Sequence, residues 1–166
     1  EGSGAWITSR PFENRGAGLF SRIRLNDMST SFSTAAAGTD RPLVVGIGGS
    51  AGGIEALQHF FEALSEEPGA AFVVIMHLAP NETSQLAEVL QAHTAMPVQQ
   101  VTKPTDLESN HVYVTSPGRT LLVEGTTLQP EPLREPEERR SPIDQFFRSL
   151  ARAEVNPVGV IVSGSG

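Results

Sequence analysis

The 166-residue chain has no cysteine, which excludes a disulfide framework, a zinc–thiolate site and a thiol nucleophile. No apolar run reaches the roughly 20 residues of a membrane-spanning helix, and the first thirty residues lack the apolar core of a secretory signal. The formal net charge is −7, which argues against a basic nucleic-acid-binding surface. We therefore expect a cytoplasmic protein with small-molecule or protein partners, no nucleic acid and no membrane insertion.

Residues 1–40 differ in composition from the remainder of the chain. They contain five Gly, six Ser, and equal numbers of acidic and basic residues, without a sustained apolar period. We predict a disordered leader over residues 1–40 and a single domain over residues 41–166. Met28 opens a polar run just before the ordered pattern and is a candidate for the natural start.

The domain alternates short apolar runs with segments of helical periodicity. Strands are predicted at 43–47, 71–76, 98–101, 111–115 and 158–162, and a hairpin at 120–123 and 127–129. Helices are predicted from Ile54, after a turn at Pro80–Asn81, and from Ser141, where Pro142 and Asp144 fit a helix start. This order predicts a doubly wound, mostly parallel α/β sheet of Rossmann-like three-layer type, with an antiparallel hairpin at its edge.

The last predicted strand has no helix after it, although parallel strands are normally covered by one. We therefore expect the final part of the domain to be missing from this chain. Ligands of open α/β sheets bind at the carboxyl ends of strands, so part of the functional site is expected to be missing as well.

Segment 46–53 is the most specific feature of the sequence, with five glycines between the first predicted strand and helix. A phosphate-binding P-loop is excluded, because no lysine follows Gly53. A dinucleotide loop of the G-x-G-x-x-G/A type is met by Gly46, Gly48 and Ala51. However, that loop requires an acid near the end of the second strand, which the sequence lacks.

Residues 48–52 also fit G-x-S-x-G, the pattern of a nucleophilic serine on a strand-to-helix turn. Small neighbours leave the Ser50 hydroxyl accessible, and unpaired amides at the helix start could stabilise an oxyanion. The alternative is that Ser50 only caps the helix.

His77 is a candidate general base for Ser50, because histidine changes its charge near neutral pH. It ends the second predicted strand, and sequential strands are neighbours in about two-thirds of cases. The remaining histidines fall away from the carboxyl ends of strands and are interpreted as surface or packing residues: His59, His93 and His111.

A serine–histidine pair also needs an acid that orients the imidazole. Asp106 lies in a predicted polar loop and Asp144 at a predicted helix start, so neither is a convincing partner. We expect the acid to lie after Gly166, and we predict no cofactor and no metal site.

Several segments in the same order resemble the catalytic domain of the chemotaxis protein-glutamate methylesterase CheB. The matching segments are 45–53, 75–78, 110–114, 141–144, 147–149 and 159–164. The resemblance covers residues 42–166 and is closest to methylesterase domains fused ahead of a CheR-like methyltransferase. It implies a serine esterase that hydrolyses glutamyl methyl esters on methylated chemoreceptors, with glutamine deamidation as a related activity.

The resemblance implies that Ser50 is the nucleophile and His77 its general base. It places Gly49, Ala51 and Ser165 in the oxyanion region and the third acid just after Gly166, so activity of this chain is expected to be impaired. Two positions depart from the family pattern, which commonly has Thr at Ala51 and Met at Ser165. The alternatives are a Rossmann-type dinucleotide-binding module and a non-catalytic docking domain.

Overall fold

The structure is a computed structural model that describes residues 6–8, 41–77, 80–133 and 142–162. The strands are β1 (Trp6–Thr8), β2 (Leu43–Ser50), β3 (Ala71–His77), β4 (Val98–Val101), β5 (Thr105–Asp106), β6 (His111–Thr115), β7 (Arg119–Glu124), β8 (Thr127–Pro132) and β9 (Asn156–Val162). The helices are α1 (Ile54–Glu62), α2 (Pro80–Gln91) and α3 (Pro142–Leu150). A 3-10 turn over Ala51–Gly53 joins β2 to α1.

The main sheet has six strands in the order β1-β9-β2-β3-β6-β4. The five strands from β9 to β4 are parallel, and β1 is antiparallel to β9. Parallel strands with both faces covered read as continuous apolar runs. The first six residues of β3 are accordingly all buried.

Each face of the main sheet carries its own hydrophobic core. On one face, α1 and α2 pack through Leu57, Phe60 and Leu90 against residues such as Ile47. On the other face, α3 and the second sheet pack against alternate residues of β2 and β3. The predicted three-layer α/β fold is confirmed.

The predicted hairpin is β7–β8, and it belongs to a second, three-stranded antiparallel sheet in the order β5-β8-β7. The sequence pattern predicts this hairpin at the edge of the parallel sheet and does not predict β5, so the separate sheet corrects that expectation. The separate sheet forms because β7 packs on α3, where Val123 N–H donates to Ser149 Oγ at 2.9 Å. Tyr113 of the main sheet also donates its hydroxyl to Asp106 O at 3.1 Å.

Several predicted boundaries differ from the structure by a few residues, and two of the differences change the interpretation of a segment. A turn was expected at Pro80–Asn81, but α2 begins at Pro80, because proline suits the first position of a helix, where its missing N–H leaves no bond unmade. The strand expected at 43–47 extends to Ser50, so Gly48 and Gly49 also lie in β2 and not in a loop.

Strand β1 lies within residues 1–40, which the sequence analysis assigned to a disordered leader. Its three residues pair with β9 in the register Trp6↔Ile161, Ile7↔Val160 and Thr8↔Gly159. The rest of that segment, including Met28, lies outside the described residues. Disorder over residues 1–40, Met28 as the start and the domain bounds remain predictions.

Candidate functional site

Ser50 and His77 are register partners at the carboxyl ends of the adjacent parallel strands β2 and β3. Neighbouring strands lie about 5 Å apart, so the backbones of Ser50 and His77 are separated by about that distance. Both residues are exposed to solvent. The structure therefore brings together the two residues that the sequence analysis selected.

The two side chains also share a face of the sheet. Side chains alternate along a strand, so Ser50 projects on the same side as Gly48, over which Ile143 of α3 packs. His77 projects on the same side as Ile75, whose buried neighbours include Phe146 of α3. A serine hydroxyl and an imidazole on adjacent strands and one face can form the hydrogen bond that general-base catalysis requires.

Ser50 occupies the N-cap position of the 3-10 turn, but its hydroxyl does not cap it. It precedes the 3-10 turn with an extended backbone (φ −108°, ψ 173°), and its side chain makes no capping hydrogen bond. The N-cap of α1 itself is Gly53. The structure therefore shows no side-chain capping bond that would support the alternative in which Ser50 only caps the helix.

The glycines of β2 accommodate α3. A Cβ on Gly46 would lie 2.7 Å from Leu150 Cδ2 and 2.7 Å from Phe146 Cε1, and one on Gly48 would lie 2.6 Å from Ile143 Cγ2. These positions are filled by side chains of the same domain, whereas a dinucleotide loop uses its glycines for turning and for close approach to pyrophosphate. The dinucleotide alternative therefore has no support in the structure.

The other histidines lie away from the Ser50 edge. His59 is exposed on α1, and His93 Nδ1 lies 2.6 Å from Glu62 Oε1. His111 opens β6 at the amino edge of the sheet, where its register partner is Ala71.

The two aspartates considered as orienting acids do not form part of a triad in the described residues. Asp106 lies in the second sheet, where its Oδ1 accepts a 2.6 Å hydrogen bond from Thr127 Oγ1. Asp144 is exposed in the first turn of α3. Ser165 and the segment leading to Gly166 lie outside the described residues.

The described part of the chain contains no cluster of three or more His, Asp or Glu residues that could hold a metal ion. Within the same residues, no helix is long and apolar enough to cross a membrane.

The three-layer α/β fold and the adjacent serine and histidine at its carboxyl edge form an arrangement typical of serine hydrolases. A model of the family described as CheB methylesterase matches residues 45–166. The chain belongs to the CheB methylesterase family.

The relatives include two bacterial proteins with the same enzymatic name. The chain is 31% identical over 130 residues to protein-glutamate methylesterase/protein-glutamine glutaminase 1 of Myxococcus xanthus, a match that covers 75% of this chain and 38% of that protein. It is 35% identical over 136 residues to the corresponding protein 2 of Xanthomonas oryzae pv. oryzae, covering 77% and 36%. The chain therefore spans little more than a third of the length of these relatives.

A solved structure has the same fold. The catalytic domain of the Thermotoga maritima CheB methylesterase superimposes with a TM-score of 0.54 at 18% identity, covering 68% of this chain and 64% of that one. This likeness supports the architecture described above.

Proposed function

We propose that this chain carries the nucleophile and general base of a protein-glutamate methylesterase. The observation that carries the proposal is the pairing of Ser50 with His77 across β2 and β3, with both side chains exposed on one face. Membership of the CheB methylesterase family and the names of the relatives support the same reaction.

The proposed reaction is acyl transfer through Ser50. A ring nitrogen of His77 takes the hydroxyl proton while Ser50 Oγ attacks the ester carbonyl carbon, which forms a tetrahedral oxyanion. When the intermediate collapses, the ester C–O bond breaks and the proton passes from His77 to the leaving methoxide, which departs as methanol. Water then repeats the attack with His77 as base and releases the glutamate carboxylate and free Ser50.

The oxyanion would be stabilised by backbone amides at the start of the 3-10 turn. We place Ala51 at this position with Gly49 and Ser165 beside it, because amides aimed at developing charge supply a large part of such rate enhancements. The acid that orients His77 is placed just after Gly166.

The proposed substrate is a glutamyl methyl ester on the cytoplasmic part of a methylated chemoreceptor or a related signalling protein. The same acyl transfer from glutamine would release ammonia, which matches the glutaminase named for the relatives. A cytoplasmic location and a fused CheR-like methyltransferase downstream of this domain complete the proposal.

The test is methanol release from a peptide that contains a γ-methyl glutamyl ester. Ser50→Ala is expected to abolish the protein-dependent rate without a change in the urea unfolding midpoint. Ser65→Ala, which alters an exposed serine in the segment after α1, is the matched control and should keep the wild-type rate. Equal rates for wild type and Ser50→Ala would overturn the proposal.

A further inference from the structure

Val162, at the end of β9, supports both ends of the turn that carries Ser50. An ideal Cβ on Gly49 would lie 2.5 Å from Val162 Cγ2 and 2.8 Å from Val162 O. An ideal Cβ on Gly53 would lie 3.1 Å from each of the same two atoms. Gly49 and Gly53 bracket the three residues that include the nucleophile, so a single residue packs against both ends of that turn.

Gly49 is also held from its other side. The same ideal Cβ would lie 3.0 Å from Met76 Sδ, and Met76 is the residue that precedes His77. In the sheet, Gly49 is the register partner of both Val162 and Met76. The backbone just before Ser50 therefore packs tightly between β9 and β3. Val162 provides the contact from the β9 side.

We propose that Val162 is a positioning residue that fixes Ser50 relative to His77. This inference rests on the proposed function, because it assigns Val162 a role through the nucleophile. Val162 is 1% exposed, so its side chain offers almost no surface to a bound substrate. Val162 acts through packing, because loss of its contacts would let the turn and Ser50 move relative to His77. A displacement of about 1 Å at a reacting group can lower the rate on the order of 100-fold.

Val160 provides a matched control on the same strand. It is also a valine, it is 2% exposed, and it belongs to the same hydrophobic cluster on the same face of β9. Its register partner in β2 is Ile47, three residues before Ser50, so it does not support the turn. Val160→Ala and Val162→Ala therefore remove the same two methyl groups from buried positions of one hydrophobic cluster.

The test compares these variants by the rate at which a fluorophosphonate labels Ser50, measured by peptide mass spectrometry, and by kcat and KM for ester hydrolysis. Both alanine variants should lower the urea midpoint by similar amounts. Only Val162→Ala should slow labelling and kcat, by about 10- to 100-fold with KM near wild type. Val162→Ile, which keeps a γ-methyl branch, should recover most of the rate.

Equal losses of labelling in the two alanine variants would overturn the role of Val162. If Val162→Ala does not fold, Gly53→Ala tests the same contact from the turn, and an unchanged labelling rate in that variant would overturn the inference. Absence of labelling at Ser50 in the wild type would instead overturn the proposed function, and this inference with it.

Discussion

Gly46→Ala should destabilise the domain, although alanine is normally the better residue in a strand. The added methyl would lie 2.7 Å from both Leu150 Cδ2 and Phe146 Cε1. Ordinary carbon contacts are about 3.5–4.0 Å, so α3 or the two side chains must retreat by roughly 1 Å. Overpacking of this kind costs about 1–3 kcal/mol, against a gain of about 0.5–1 kcal/mol from replacing glycine. The midpoints of the two ranges give an expected net loss of about 1 kcal/mol.

Urea denaturation measures this loss, alone and in a Leu150→Val background that shortens the clashing side chain. Contacting residues are coupled by about 0.5–3 kcal/mol, so Gly46→Ala should cost at least ~0.5 kcal/mol less in that background. A neutral or stabilising Gly46→Ala would refute the packing account of the β2 glycines. An equal cost in both backgrounds would show that Leu150 is not the obstacle.

Two further predictions concern the contacts that join the second sheet to the rest of the domain. Burial raises the pKa of Tyr113 above the ordinary value, so its contribution to stability is complete below about pH 10 and is lost as the pH rises through the folded-state pKa. Urea unfolding measured at alkaline pH should show this loss of stability in wild type and not in Tyr113→Phe. Phenolate absorbance follows the ionisation of the same residue, because the chain has one tyrosine. Ser149→Ala should cost about 1–3 kcal/mol in urea unfolding, because the Val123 N–H loses its 2.9 Å acceptor; an unchanged midpoint would contradict this.

The pairing at the candidate site was predictable because two sequence features coincide. Ser50 and His77 each end an apolar strand, and the strands follow each other with one helix between them. Sequential parallel strands are usually neighbours, so the two ends meet at one edge of the sheet. The sequence predicts only that the two strands are neighbours. The structure shows in addition that Ser50 and His77 are directly opposite each other in the register of those strands.

The role of the glycines could not be predicted from the sequence. Gly46 and Gly48 match a dinucleotide pattern, and their packing partners on α3 lie about a hundred residues later in the chain. Val162 was not identified for the same reason, since its contact with Gly49 and Gly53 depends on β9 pairing beside β2. Close packing between segments that are distant in the chain leaves no periodic pattern in the local sequence from which it could be predicted.

Strand β5 was missed because it has two residues, too few for an alternating pattern. Its pairing with β8 adds a third strand to the hairpin, so that β8 is bonded on both sides by β5 and β7. The hairpin itself was predictable from its turn at Gly125, which has the positive φ of 61° that glycine favours.

The central claim is that Ser50 and His77 act as one catalytic unit, and a double-mutant cycle tests it most directly. Hydrolysis of the γ-methyl glutamyl ester peptide would be measured for wild type, Ser50→Ala, His77→Ala and the double variant. Each single change should lower kcat by at least about 100-fold, and the double variant should be no slower than the slower single variant. Losses that multiply in the double variant, or a Ser50→Ala rate equal to wild type, would contradict the claim.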